Sequence, residues 1–167
     1  MIFLTVGTHE PFDRLVCCVD DWCAERGCGD EVFGQITARA EYQPTHFQAV
    51  ASLDPSAYQE KFNAADFIIS HAGMGSIITA LSMKKPIAVL PRRGHLQETR
   101  NDHQFATVQR FQSRGGIFAA QDEADLSKIL NRLADGNVTV GQGISSFADE
   151  QLIASVRDFI HGPAQTG

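Results

Sequence analysis

The sequence predicts an α/β fold, a parallel sheet with helices on both faces. Three observations carry that expectation. Short apolar runs of strand length, bounded by Gly, Pro or polar residues, alternate with segments whose apolar residues recur at helical spacing. One stretch, Asp66-Phe67-Ile68-Ile69-Ser70, breaks at His71-Ala72-Gly73-Met74-Gly75-Ser76 and resumes as Ile77-Ile78-Thr79-Ala80-Leu81. That is the pattern of a strand, a small-residue turn and a helix start. Finally, the stretches Gly7 to Glu10, Ser70 to Ser76 and Pro91 to Asn101 all follow strands and are rich in Gly, hydroxyl, His or Arg. Alternating strands and helices form parallel sheets, and such sheets bind ligands beyond the carboxyl ends of their strands.

Taken in order, Ile2 to Val6 reads as the first strand and Gly7 to Glu10 as a turn. Pro11 suits the first turn of the next helix. That helix carries Phe12, Leu15, Val16, Val19 and Trp22 at helical spacing and stops at Gly27 to Gly29. Val32, Phe33 and Ile36 mark a second strand within Glu31 to Thr37. Tyr42 to Leu53 is ambiguous, a short strand preceded by a loop being one reading. Asp54 caps a helix from Pro55 to Ala65. The central strand and helix follow, the helix ending before Pro86.

Pro86 to Pro91 is the next buried strand, and Arg92 to Asn101 a polar loop. A helix from Asp102 to Arg114 closes at Gly115-Gly116. Ile117 to Ala120 is a last short strand. Asp122 to Ala134 is a helix with Leu126, Ile129, Leu130 and Leu133 on one face. Gly136 to Gly143 reads as a linker and Ser146 to Ile160 as a final amphipathic helix. One domain therefore spans residues 1–161, and 162–167 form a flexible tail.

The 167 residues are enough for one full-sized core, and 43% hydrophobic against 20% charged residues marks a folded chain. A net charge of -6 argues against a general nucleic-acid binder, whose affinity rests on a basic face. No run is long enough to span a bilayer. The apolar amino terminus is short, lacks a basic flank and runs into Gly7, so it reads as a strand and not as a signal peptide. The expected address is the cytoplasm. Cys17, Cys18, Cys23 and Cys28 lack paired metal-ligand spacing and read as buried small residues in a reducing compartment. No internal repeat or low-complexity segment is present.

The turn at 71–76 has the chemistry of an anion site. The first N–H groups of a helix lack intrahelical partners, and the helix dipole places partial positive charge there. Gly73 and Gly75 let a bulky anion approach the backbone, and Ser76 can cap the helix or donate to a phosphate oxygen. The ligand expected here is the diphosphate of a nucleotide-sugar.

Three motifs together carry a resemblance. They are Phe3-Leu4-Thr5-Val6-Gly7-Thr8 with Phe12-Asp13-Arg14-Leu15-Val16, then Ser70 to Ser76, then Pro91-Arg92 with Arg100-Asn101-Asp102-His103-Gln104. In this combination the chain resembles the glycosyltransferase family 28 C-terminal domain. It is most similar to the small stand-alone PssE-type subunits of bacterial exopolysaccharide assembly. It is also similar to the catalytic subunit of the eukaryotic enzyme that adds the second GlcNAc to dolichol-linked GlcNAc. The resemblance covers roughly the first three quarters of the chain.

That resemblance implies a Rossmann-like domain, the donor-binding half of a GT-B glycosyltransferase. It implies a UDP-sugar donor and a hexosyl transfer, the hexose being glucuronic acid, glucose, galactose or GlcNAc. It further implies a separate membrane-anchored, PssD-like partner subunit that binds a lipid-linked saccharide acceptor. The chain would then sit peripherally at the inner face of the membrane through that partner. No cofactor and no metal are implied, and no Asp-x-Asp motif is present. One position departs from the pattern. Related MurG enzymes hold the ribose with a glutamate one turn into the helix, where this chain has Thr79. Glu98 is a candidate to compensate.

The site expected on these grounds comprises Gly7, Thr8, His9, His71, Gly73, Met74, Gly75, Ser76, Arg92, Asn101 and Gln104. His71 is the catalytic candidate, donating to the diphosphate or sugar; a buried, hydrogen-bonded core histidine is its plainer reading. Gly7 and Thr8 either present a second set of N–H groups or form an ordinary strand–helix turn. His9 is read as orienting the phosphate or meeting the partner, because the base in such an enzyme acts on the acceptor from the other domain. Arg92, with Arg93 and Arg100, offers a planar fork for phosphate or carboxylate. Asn101 and Gln104 offer amides for sugar hydroxyls. Two other readings stand beside the transferase. One is a non-catalytic nucleotide-sugar-binding regulatory subunit. The other is a metal hydrolase built on His71, His95, Asp102 and His103.

Overall fold

A computed structural model of the chain describes residues 1–99 and 115–137. The expected helix at 102–114, the linker, the final helix and the tail all lie outside the described residues. So do Arg100, Asn101, Asp102, His103 and Gln104.

Among the described residues, six strands form one sheet, every neighbouring pair parallel. They are β1 (Ile2–Thr5), β2 (Val32–Gln35), β3 (Gln48–Val50), β4 (Phe67–His71), β5 (Ile87–Leu90) and β6 (Ile117–Ala119). The order across the sheet is β3-β2-β1-β4-β5-β6. This is the doubly wound, Rossmann-like arrangement, and the order reverses between β1 and β4. Thr5 of β1 stands opposite Ser70 of β4, so the turns after these two strands leave the sheet side by side.

Four described helices cover the sheet: α1 (Asp13–Arg26), α2 (Pro55–Ala64), α3 (Met74–Ser82) and α4 (Glu123–Ala134). Alternation along the strands divides the core in two. Ile2, Leu4, Phe67, Ile69, Ala88 and Leu90 pack with Leu15, Val19 and Trp22 of α1 and Leu126 and Leu130 of α4. On the other face, Phe3, Ile68, Ile87 and Val89 pack with Phe62 of α2 and Ile77, Ala80 and Leu81 of α3. Trp22 Nε1 donates to Asn131 Oδ1 at 2.9 Å, joining α1 to α4. Strands buried on both faces explain the unbroken apolar runs of β1, β4 and β5.

Local signals act as expected in most places. Gly27 ends α1 in the left-handed region at φ 67°, and its N–H reaches the Cys23 carbonyl. Asp54 caps α2, accepting from the N–H groups of Ser56 and Ala57 at 2.9 and 3.0 Å. Asp122 caps α4 by accepting from Asp125 N–H at 2.8 Å. Two helix starts differ. Helix α1 begins at Asp13 after Phe12, so Pro11 stays outside it, and its carbonyl accepts from Arg92. Helix α3 begins at Met74 with Gly73 as its cap residue, so Ser76 lies inside the first turn and does not cap it. All four cysteines are free thiols.

Candidate functional site

At the reversal point the sheet's carboxyl edge brings together the turn after β1 and the turn after β4. Gly7 leaves β1 at φ 89°, a left-handed conformation that glycine adopts without strain. The buried Gln35 at the end of β2 donates from Nε2 to the Gly7 carbonyl at 3.2 Å and accepts from Leu53 N–H at 3.1 Å. It thus fixes the turn from the neighbouring strand. Beyond Gly7 the chain is exposed, and Thr8 Oγ1 and His9 Nδ1 lie 2.8 Å apart.

His71 ends β4 with its ring between the two turns. A Cβ on Gly7 would come within 3.2 Å of its Cε1, and one on Gly73 within 2.3 Å of its Nε2. The two missing side chains therefore make room for an imidazole. Burial pushes the His71 pKa down, and the positive charge of Arg92 pushes it further, to about 4, against a smaller opposing effect of the Thr5 backbone. At neutral pH the ring is uncharged. It can donate from one nitrogen and accept at the other, but it supplies no positive charge.

The helix start beside it is open. No side chain caps α3, and a Cβ on Gly75 would meet nothing within 4 Å. The first intrahelical bond across the turn is Ile77 N–H to the Gly73 carbonyl, 3.2 Å. Met74, Gly75 and Ser76 thus carry the N–H groups a helix leaves unused at its amino end. Met74 and Ile78, one turn apart on α3, are exposed apolar side chains on the rim.

Behind the cradle lies a net of buried charge. Arg92 is 4% exposed. It donates from Nη2 to the carbonyls of Val6 and Glu10 at 2.9 and 2.8 Å, and from Nη1 to those of Pro11 and Glu98. Arg14 grips Glu98 with two parallel bonds, Nε to Oε1 at 2.7 Å and Nη2 to Oε2 at 2.9 Å. It also reaches Glu123 Oε1 at 3.0 Å and the Pro91 carbonyl at 2.9 Å. Both guanidinium groups lie over the Phe12 ring, at 4.6 Å for Arg92 and 5.2 Å for Arg14.

Residues 1–140 match the glycosyltransferase family 28 C-terminal domain. The chain belongs to this family. Among curated relatives, it is 30% identical over 125 residues to the human UDP-N-acetylglucosamine transferase subunit ALG13, covering 70% of this chain and 11% of that one. The mouse protein of the same name is 31% identical over 124 residues. The chain spans about a tenth of the length of the curated relatives it matches. In three dimensions it is similar to an NMR structure of ALG13, with a TM-score of 0.57, 17% identity and 93% of each chain covered. It is also similar to the S. aureus MnaA–UDP structure, with a TM-score of 0.62, 12% identity, and 95% of this chain and 44% of that one covered. At these identities the two structures speak for the fold alone, which is the Rossmann-like one expected.

Within this family 28 domain, the structure brings Gly7, Thr8, His9, His71, Gly73, Met74, Gly75 and Ser76 to one edge of the sheet. Arg92 adjoins them with its fork turned to backbone carbonyls. Asn101 and Gln104 lie outside the described residues. The Glu98 carboxylate is turned to the protein: both oxygens are held by Arg14, and Oε2 also accepts from Arg93 N–H at 2.8 Å. The Thr79 hydroxyl donates back to the Gly75 carbonyl at 2.9 Å. Gln35 and Arg14 support the candidate site; no motif signalled Gln35, and Arg14 stood in the first motif without a role assigned to it. Their partners lie 28 and 84 residues away in the chain, beyond any local pattern. Among the described residues, no helix is long and apolar enough to cross a membrane, and no group of three His, Cys, Asp or Glu could hold a metal ion.

Proposed function

We propose that this chain is the UDP-sugar-binding catalytic subunit of a two-component glycosyltransferase. The observation that carries the reading is the uncapped start of α3 at the reversal point of a family 28 domain, facing open space at Gly75. In this reading the N–H groups of Met74, Gly75 and Ser76 and the Ser76 hydroxyl receive the diphosphate. Gly7, Thr8 and His9 line its other side, and Asn101 and Gln104 meet the sugar.

An acceptor hydroxyl attacks the anomeric carbon, the bond from that carbon to the diphosphate oxygen breaks, and UDP leaves. The hydroxyl proton passes to a base on the acceptor side. The charge that grows on the departing diphosphate is stabilised by the fixed N–H dipoles of α3. His71 donates a hydrogen bond from an uncharged ring. Such groups need no reorganisation during the reaction.

The acceptor is proposed to be a lipid-linked saccharide presented by a membrane-anchored partner subunit. The chain would work in the cytoplasm, peripherally at the inner face of the membrane, in exopolysaccharide or glycolipid assembly. Calorimetry with UDP and with UDP-hexoses tests the donor site: wild-type protein binds and Gly75→Trp does not. Turnover on addition of the partner selects the transferase. Saturable UDP-sugar binding without turnover, partner present, selects a regulatory binding subunit. Failure of wild-type protein to bind UDP removes both.

A further inference from the structure

We propose that Arg92 is a positioning residue for the β1 turn: it fixes the backbone of Gly7 to Glu10 in the place from which that backbone meets a nucleoside diphosphate. The proposal rests on the reading of this edge as a UDP-sugar site, and it assigns Arg92 a different task from the phosphate fork that its residue type suggests.

Arginine is rarely buried without partners that occupy its donors. Here the guanidinium is almost fully enclosed and donates to four carbonyls. Three of them, Val6, Glu10 and Pro11, bracket the exposed residues Thr8 and His9. The turn is therefore pinned at both ends by a single planar group. The fourth, Glu98, belongs to the loop after β5 and is itself clamped by Arg14. One side chain thus ties the turn after β1 to the loop after β5, with β4 and its glycine turn between them in the sheet.

Geometry limits what can replace it. A lysine ammonium keeps the charge but is a point donor with three N–H groups, and it cannot reach four carbonyls spread over two loops. The charge has a second effect. Among the described residues, Arg92 is the charged group that acts on the His71 ring, which also meets Gly7, Gly73, the Thr5 backbone and the Ser70 hydroxyl. Sitting behind the turn, the cation lends positive potential to the cradle without touching the ligand.

The test uses the full chain with Arg92→Lys and Arg92→Met. UDP affinity is measured by calorimetry, backbone order residue by residue from NMR relaxation, protection of the helices by amide hydrogen exchange, and the His71 titration by NMR. In both variants backbone order should fall at Gly7 to Glu10 while α2 and α4 keep their protection, and UDP should bind about tenfold more weakly. The His71 midpoint should rise in the Met variant and stay near the wild-type value in the Lys variant. A merely structural arginine would lower protection throughout, α2 and α4 included; the His71 midpoint reports the charge alone. In wild-type protein the Arg92 side-chain N–H protons should already exchange slowly before UDP is added; protection that appears only with UDP would overturn the proposal, whatever the variants do. A folded Lys variant with unchanged UDP affinity and unchanged backbone order at the turn would overturn it too. If wild-type protein does not bind UDP, the donor-site reading fails, while the backbone order of the turn still decides whether Arg92 holds it.

Discussion

The imidazole of His71 occupies the space that a side chain on Gly73 would need. Gly73 is thus constrained by the protein's own ring, whereas Gly75, two residues later, is unconstrained by any neighbour. The glycines of one turn serve different ends.

The two substitutions to alanine should part accordingly. Gly73→Ala forces the His71 ring or the backbone to move and should cost about 1–3 kcal/mol, the range for overpacking. Gly75→Ala lies in the first turn of a helix with open space around it and should be neutral or stabilising by about 0.5–1 kcal/mol. Urea denaturation of both variants measures this. Equal losses at the two positions would refute the assignment of Gly73 to His71.

His71 makes stability depend on pH with a definite sign. Its pKa falls from the ordinary 6.5 to about 4 on folding. Above 6.5 the ring is neutral in both states and contributes nothing. As pH drops from 6.5 towards 4, the unfolded chain takes up a proton that the folded chain refuses, so stability declines through that window, by about 3 kcal/mol at most. In His71→Asn that decline should be absent, so the difference between the two proteins' stability curves should follow it. The check is urea denaturation of each at half-unit intervals from pH 4 to pH 7.

Asp20 is a second buried group with a task. It is 1% exposed and lies on α1. Burial on its own raises its pKa. The N–H groups of Thr45 and His46, the Tyr42 hydroxyl and the His46 ring outweigh that and bring it down to about 2. Its stabilisation is therefore present above the ordinary carboxylate value of 3.8 and is lost as pH falls through about 2. Asp20→Ala leaves several donors unpaired and should cost about 3 kcal/mol at neutral pH. Limited proteolysis should then cut first within 42–47, the segment Asp20 holds against α1. Unchanged resistance there would show that the segment is held by something else.

The Arg14–Glu98 pair should behave as a sheltered bond, not a surface one. Its side chains are 14% and 12% exposed. Glu98→Gln should cost about 1–3 kcal/mol, and the loss should persist at about 1 M salt, because salt screens exposed pairs far more than enclosed ones. Denaturation at two ionic strengths distinguishes these cases.

Most of the fold was legible because the strands are buried on both faces and announce themselves as apolar runs. Gly27, Asp54 and Asp122 mark helix ends by backbone and capping chemistry that is local in sequence. β3 was ambiguous for a physical reason: it is a three-residue edge strand whose residues are half-buried or exposed, so no periodicity develops. The cradle's position was legible from Gly, His and Ser at a strand end. What holds it was not. Gln35 and Arg14 look like ordinary polar residues until folding brings their distant partners to them. Arg92 and Glu98 looked like ligand groups from residue type alone. Only the fold shows that their polar atoms face the protein.

The strand order has a consequence for how this chain is made. Of these six strands β1 is synthesised before the others yet ends in the middle of the sheet, and one of its two neighbours, β4, begins 65 residues after it. Until Phe67 to His71 have been synthesised, one side of β1 has no ladder to join, and Gly7 has no imidazole to rest against. Closing that distant pairing sets a slow, late step in assembly. The edge that carries the candidate site is thus completed only when the two halves of the sheet zip together, and a nascent chain stalled short of residue 71 would meet chaperones before any ligand.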